Sequence, residues 1–174
     1  FHVTGVQTCA LPIFGIDRAH IVGMSMGGMI VQILAAKYPE RCRSMVSIMS
    51  TSGRRGLPTG NPQTLAMLTA QPASLEREAL VAQGIKVRLA LAGGGYAEPE
   101  SALRAFVERN VDRRYYPQGA ARHYLAVIAS GDRVELLKTI KVPTLVLHGD
   151  DDPLVPVEAG RDVAGLVPGA RIET

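Results

Sequence analysis

Apolar residues fall along this chain in short blocks set apart by Gly, Pro and charged positions, and the spacing inside each block predicts its element. Ala19-His20-Ile21-Val22-Gly23-Met24 is an apolar run of strand length. It passes without a loop through Ser25 into 26–38, where Met29, Ile30, Ile33 and Leu34 recur at helical spacing. Pro39 stops that helix, and 42–49 follows as a second strand with Met45, Ser47 and Met49 alternating along it. Strand, helix and strand in direct succession predict a βαβ unit and a parallel sheet. The pattern then changes. From 53 to 138 Gly, Pro, Ala, Arg and Glu dominate, with helical spacing near 75–92, 100–110 and 119–129, so this stretch is a helical insertion. Gly93-Gly94-Gly95 within it is a flexible joint rather than a phosphate cradle. Strand character returns in Thr144-Leu145-Val146-Leu147, entered through Pro143. A Gly- and Asp-rich turn, a helix over 157–167 and the first residues of one more strand, Ala170-Arg171-Ile172-Glu173, complete the sequence.

The first residues differ in character from the rest. Val3-Thr4-Gly5-Val6-Gln7-Thr8-Cys9-Ala10-Leu11-Pro12-Ile13 resembles the in-frame translation of a sequencing-library adapter, and the stretch lacks the charged and apolar regions of a signal peptide. The expected organisation is therefore 1–14 as a non-native segment, 15–52 as the first part of an α/β core, 53–138 as a helical cap, and 139–174 as the second part of the core.

Composition narrows the function classes. A chain of 174 residues, 47% of them hydrophobic, can bury a core. Its net charge of +3 is spread out, with no basic run longer than Arg54-Arg55 or Arg113-Arg114, which argues against a nucleic-acid partner. No apolar run approaches the roughly 20 residues of a membrane helix. Cys9 and Cys42 could form at most one bridge and lack metal-ligand spacing, so neither a disulfide scaffold nor a zinc module is indicated. With 1–14 set aside, Cys42 is the only native cysteine. A cytoplasmic enzyme without metal or organic cofactor is the class that remains.

The chemistry concentrates where the first strand meets the first helix. Gly23-Met24-Ser25-Met26-Gly27 fits G-x-S-x-G, and its position at a predicted strand-to-helix junction is what gives the pentapeptide weight. A sharp bend there lifts the Ser25 hydroxyl above the sheet, Gly23 and Gly27 keep neighbouring side chains from colliding with the bent backbone, and Gly28 gives the helix room to pack close. The Met26 N–H, at the start of the helix, points where an oxyanion would form. The bland alternative is a Gly-rich turn with a capping serine. Downstream, Asp150, Asp151 and Asp152 all lie at one strand end, where an acid can reach an imidazole above the sheet edge, and chemistry alone leaves the three open. A contiguous acidic run supplies spaced oxygen ligands poorly, which sets a calcium site aside.

The segments Gly15-Ile16-Asp17-Arg18-Ala19-His20-Ile21-Val22-Gly23-Met24-Ser25-Met26-Gly27-Gly28 and Val142-Pro143-Thr144-Leu145-Val146-Leu147-His148-Gly149-Asp150-Asp151-Asp152-Pro153-Leu154-Val155-Pro156 together resemble the α/β-hydrolase fold family. The insertion, with Arg114-Tyr115-Tyr116-Pro117 and Ala129-Ser130-Gly131-Asp132-Arg133, resembles the capped hydrolases labelled aclacinomycin methylesterase-like or tropinesterase-like. The resemblance implies an α/β fold comprising the C-terminal half of a mostly parallel sheet with flanking helices and a helical cap. It also implies a Ser-Asp-His triad in chain order, with Ser25 as nucleophile and Asp152, before Pro153, as the acid. The triad histidine would follow the next strand, and the sequence ends within that strand. His2 lies in the adapter-like segment, His20 begins the first strand, His123 belongs to the insertion, and His148 is a strand residue beside the acid, so none fits the role. The second oxyanion-hole N–H is expected from a loop upstream of this sequence.

The implied parent protein is a serine hydrolase of small-molecule carboxylic esters, and this polypeptide alone is expected to be inactive. Serine at the elbow argues against dehalogenase and epoxide-hydrolase chemistry, which in this fold uses an aspartate nucleophile. Two alternatives stand beside it. A cofactor-free perhydrolase or C–C bond hydrolase uses the same triad, and a non-catalytic binding module can be built on the same fold.

Overall fold

A computed structural model describes residues 13, 15–95 and 98–174. The adapter-like stretch, apart from Ile13, and with it Cys9 and His2, lies outside the described residues. The chain divides into two units, one comprising residues 1–58, 131–150 and 157–174 and the other 59–130 and 151–156.

In the first unit four strands, β1 (Ala19–Met24), β2 (Cys42–Ile48), β3 (Thr144–Leu147) and β4 (Arg171–Glu173), pair in that order. All three pairings are parallel, with Ile21 beside Met45, Met45 beside Thr144 and Val146 beside Ile172. The predicted parallel sheet of an α/β fold is present. Helix α1 (Met26–Lys37) returns the chain from β1 to β2 through a short 3-10 turn, Pro39–Arg41. Proline at the start of that turn removes an N–H that the preceding helix would need to continue.

The core of this unit gathers Ile21, Val31, Leu34, Ala35, Cys42, Met45, Val146 and Val163 between α1, the sheet and the last helix. Sequence spacing marks Met29, Ile30, Ile33 and Leu34 as the apolar stripe of α1; of these the structure buries Leu34, and the rest of the buried face is Gly28, Val31, Gln32 and Ala35. Gly28 lets this face pack close: a Cβ there would lie 2.5 Å from the Ser50 Cβ, just past β2, and 3.2 Å from the Ser47 Oγ on that strand. Cys42 is a free thiol, fully buried, and burial pushes its pKa up.

The second unit is helical: α2 (Pro62–Thr69), α3 (Arg77–Leu91), α4 (Glu100–Arg113) and α5 (Pro117–Ala129). Its small core is Val81, Leu103 and Val107, with Ile85 and Val111 against it. Helices α3, α4 and α5 coincide with predicted stretches, whereas α2 was not predicted. Its signal is Asn61-Pro62: the Asn61 side chain accepts from the Gln63 N–H at 2.8 Å, and proline occupies the first helical position. A one-turn helix, α6 (Val134–Leu137), precedes β3 in the first unit, and α7 (Val157–Leu166) joins β3 to β4.

Candidate active site

Strand β1 ends at Met24, α1 begins at Met26, and Ser25 makes the entire bend between them. Its backbone sits at φ 55° and ψ −119°, in a region that side chains other than glycine rarely adopt. Three hydrogen bonds pin it there. Its N–H donates to the Ile48 carbonyl at 2.9 Å, and its carbonyl accepts from the Met29 N–H at 3.2 Å and from the Ser50 hydroxyl at 2.8 Å. The Ser25 side chain is half-buried, with Met26 opening the helix directly after it. An N-terminal amide of this kind has no partner inside its own helix and carries the positive end of the helix dipole.

The glycines divide into two kinds. A Cβ at Gly23 would run into the backbone carbonyl of Gly27, and one at Gly28 would meet the Ser50 Cβ at 2.5 Å and Oγ at 2.6 Å. Both are required for the elbow to close. Gly27 departs from expectation, because a Cβ there meets nothing within 4 Å. The contact falls on the Gly27 carbonyl rather than on its α-carbon face, so the clearance needed at 27 is met by its backbone position and not by a missing side chain.

Beneath the bend lies a buried polar chain. Gln32 donates to Ser47 at 3.3 Å and accepts from Arg133 Nε at 3.1 Å. The same guanidinium donates to the Thr51 carbonyl at 2.9 Å and the Gly131 carbonyl at 3.1 Å. Arg133 is only 4% exposed, and burial pulls its pKa below the usual arginine range. Nothing in the sequence pattern singles out Gln32 or Arg133, since a glutamine on a helix and an arginine after a loop are ordinarily solvated.

The three acids after β3 have different surroundings. Asp152 Oδ1 accepts from the Leu154 and Val155 N–H groups, both at 2.9 Å, which fixes the carboxylate within its own loop. That loop belongs to the helical unit, where the Pro153 carbonyl also accepts from the Asn61 N–H at 2.7 Å. Asp150 is exposed and pairs with Arg161 at 3.3 Å, and Asp151 is exposed. Of the histidines, His20 is exposed on β1 with Nδ1 2.7 Å from the Ser44 hydroxyl, and His123 is exposed on α5. His148 is 4% exposed and lies under α7, where a side chain at Gly160 would strike its ring. Among the described residues no three His, Cys, Asp or Glu side chains cluster as metal ligands, and no helix is long and apolar enough to cross a membrane.

Comparison with known proteins follows the same residues. The chain matches the alpha/beta hydrolase fold family over residues 6–173. It is 32% identical over 158 residues to a poly(3-hydroxyalkanoate) depolymerase of Ectopseudomonas oleovorans, covering 89% of this chain and 52% of the relative. It is 30% identical over 171 residues to a bifunctional esterase/perhydrolase of Acinetobacter calcoaceticus, covering 91% of this chain and 59% of the relative. In fold it resembles an esterase from Exiguobacterium antarcticum with a TM-score of 0.74 at 18% identity, across 97% of this chain and 62% of that one. The chain thus spans between half and three fifths of the length of these curated relatives. Since the family match takes in the elbow at Ser25 and the acidic loop at Asp152 alike, the chain belongs to the alpha/beta hydrolase fold family.

Proposed function

We propose that the protein to which this chain belongs is a serine hydrolase of carboxylic esters, with Ser25 as its nucleophile and Asp152 as the acid of a Ser-His-Asp triad. The observation that carries this reading is the Ser25 backbone at φ 55°, a strained residue between strand and helix. Strain of that kind persists only where surrounding contacts hold it, and it collects at functional sites. In the proposed reaction the Ser25 oxygen attacks the acyl carbon while a histidine takes its proton. The alcohol leaves with that proton, and water then releases the acid from the acyl-enzyme. The Met26 N–H, with a second donor, holds the developing oxyanion, and Asp152 orients the histidine. The loop amides that fix the Asp152 carboxylate favour it for this task over the surface pair Asp150–Arg161. The helical unit sets acyl and alcohol preference as a cap. The reaction needs no metal or organic cofactor.

The proposed triad histidine is none of His20, His123 or His148, so catalysis belongs to a longer protein. The chain's share of its relatives' length supports this, as does its sheet: Val22 and Met24 on one face are 63% and 59% exposed, whereas parallel sheets are ordinarily covered on both faces. The esterase/perhydrolase relative keeps perhydrolysis as a second reading, because a peracid-forming enzyme differs only in admitting peroxide in place of water. A fluorophosphonate probe tests the proposal. It is expected to label the longer protein at Ser25 and to lose that label in Ser25→Ala, while the 174-residue chain turns over p-nitrophenyl acetate no faster than its own Ser25→Ala variant. Labelling that survives the substitution removes Ser25 from the mechanism.

A further inference from the structure

We propose that Ser50 is a positioning residue for ester hydrolysis: its hydroxyl fixes and polarises the Ser25–Met26 peptide group, whose N–H faces the developing oxyanion. The inference rests on the ester-hydrolase reading and adds a residue to it. Ser50 Oγ donates to the Ser25 carbonyl at 2.8 Å. That carbonyl and the Met26 N–H are the two ends of one planar amide, so whatever holds the oxygen also aims the hydrogen. Met26 opens α1, and its N–H has no partner within the helix. The helix supplies the Ser25 carbonyl with one ordinary bond, from the Met29 N–H at 3.2 Å. The Ser50 bond is shorter and comes from outside the helix. A hydroxyl bound to a carbonyl draws electron density along the amide and makes its N–H a stronger donor.

The surrounding chain is built to deliver this hydroxyl. Ser25 is gripped at both ends, its N–H by the Ile48 carbonyl and its carbonyl by Ser50, and the residue between those two partners, Met49, sits at φ 39°. Among the described residues, Ser25 and Met49 are the non-glycine positions with positive φ. Backbone strain persists only where neighbouring contacts enforce it, and here both strained residues flank one hydrogen bond. Gly28 leaves the hydroxyl its place, since a Cβ there would lie 2.6 Å from Ser50 Oγ. Ser50 is 2% exposed, so bulk water offers its hydroxyl no alternative partner, and every residue involved belongs to the sheet unit. The contact is complete within this chain, whatever a longer protein lays over the sheet.

Kinetics of Ser50→Ala in the longer protein test it. For p-nitrophenyl acetate kcat is expected to fall about tenfold, short of the roughly 100- to 1,000-fold that outright loss of an oxyanion donor costs. KM is expected to hold within about twofold, because the N–H acts in the transition state. Inhibition by phenylboronic acid, whose tetrahedral adduct places an oxygen at the oxyanion position, is expected to weaken by the same factor as kcat. Ser50→Cys, a weaker donor of similar shape, is expected to fall between serine and alanine. Cys42→Ala, at the opposite end of β2, is expected to lower the thermal midpoint and leave kcat unchanged. In the 174-residue chain the Ser25 carbonyl carbon-13 resonance is expected to move upfield in Ser50→Ala. Circular dichroism checks that each variant keeps its secondary structure, and if Ser50→Ala fails that check, Ser50→Cys decides. The proposal is overturned if kcat is unchanged, if KM carries the effect instead, if Cys42→Ala lowers kcat as much, or if the Ser25 resonance stays where it is. Turnover that survives Ser25→Ala overturns the ester-hydrolase reading itself, whereas loss in Ser25→Ala beside full turnover in Ser50→Ala overturns this inference alone.

Discussion

Ser25 holds a backbone conformation that costs a side chain of its kind on the order of 1–3 kcal/mol, and three hydrogen bonds to Ile48, Met29 and Ser50 keep it there. Glycine adopts a positive φ without that cost. Ser25→Gly is therefore expected to raise stability by about 1 kcal/mol in urea unfolding while removing the proposed nucleophile, whereas an unstrained serine would lose stability on the same change. The elbow was legible in sequence because a tight strand-to-helix bend demands small residues at set offsets. That demand explains Gly23 and Gly28 but not Gly27, whose α-carbon faces open space. Asp152 was separable from Asp150 and Asp151 only by resemblance, since three adjacent carboxylates have the same chemistry until hydrogen bonds tell them apart. In the folded chain one is tied to loop amides and another to Arg161.

At the scale of elements, α3 and α4 are joined by an apolar seam at Val81, Leu103 and Val107 and by a lattice of surface ions. Arg77 donates to both carboxylate oxygens of Asp112, at 2.7 and 2.9 Å, and Arg104 donates to both of Glu78, at 2.7 and 2.9 Å. The hydrogen bond from Arg77, then its charge, lowers the Asp112 pKa, while desolvation opposes the shift. A carboxylate whose folded pKa is depressed contributes stability above its unfolded value, about 3.9, and loses it as pH falls through the lower folded value. Asp112→Asn is accordingly expected to lower the thermal midpoint at pH 7 and to have a smaller effect at pH 2.5, with the pH 7 effect also shrinking in 1 M NaCl. Circular dichroism melts of the two chains measure it. Helix existence was legible here from spacing, as was strand existence in the core. The burial face of α1 was legible only at Leu34, because the helix is apolar on several sides and the face that packs also carries Gly28 and Gln32, which hydrophobic spacing does not mark.

Across the whole molecule the insertion leaves the sheet unit and re-enters it, and Arg133 secures the re-entry. Its guanidinium bonds Gln32 on α1 and the carbonyls of Thr51 and Gly131, before and after the helical segment. The Arg133 N–H donates to the Ser52 carbonyl at 2.7 Å, while the Ser52 hydroxyl donates to Asp162 on α7 at 2.5 Å. Arg133→Ala strips a donor from the buried Gln32 amide oxygen, worth about 1–3 kcal/mol when left unsatisfied, and from the part-buried carbonyls of Thr51 and Gly131, which water can reach in part. A total loss of about 2–4 kcal/mol is expected in urea unfolding, and a loss below 0.5 kcal/mol would mean that the network is incidental.

By itself the sequence determined the strand-helix-strand order, the parallel sheet, a helical insertion and a serine at the sharp bend between the first strand and the first helix. Each rests on local spacing or on a run of neighbouring residues, and local patterns survive in one dimension. Tertiary structure alone decided the rest: the buried link from Ser47 through Gln32 to Arg133 and the different fates of adjacent aspartates. Gln32 and Arg133 stand 101 positions apart, and no periodicity records a hydrogen bond between residues at that distance. Such contacts exist only once burial has removed water as the competing partner.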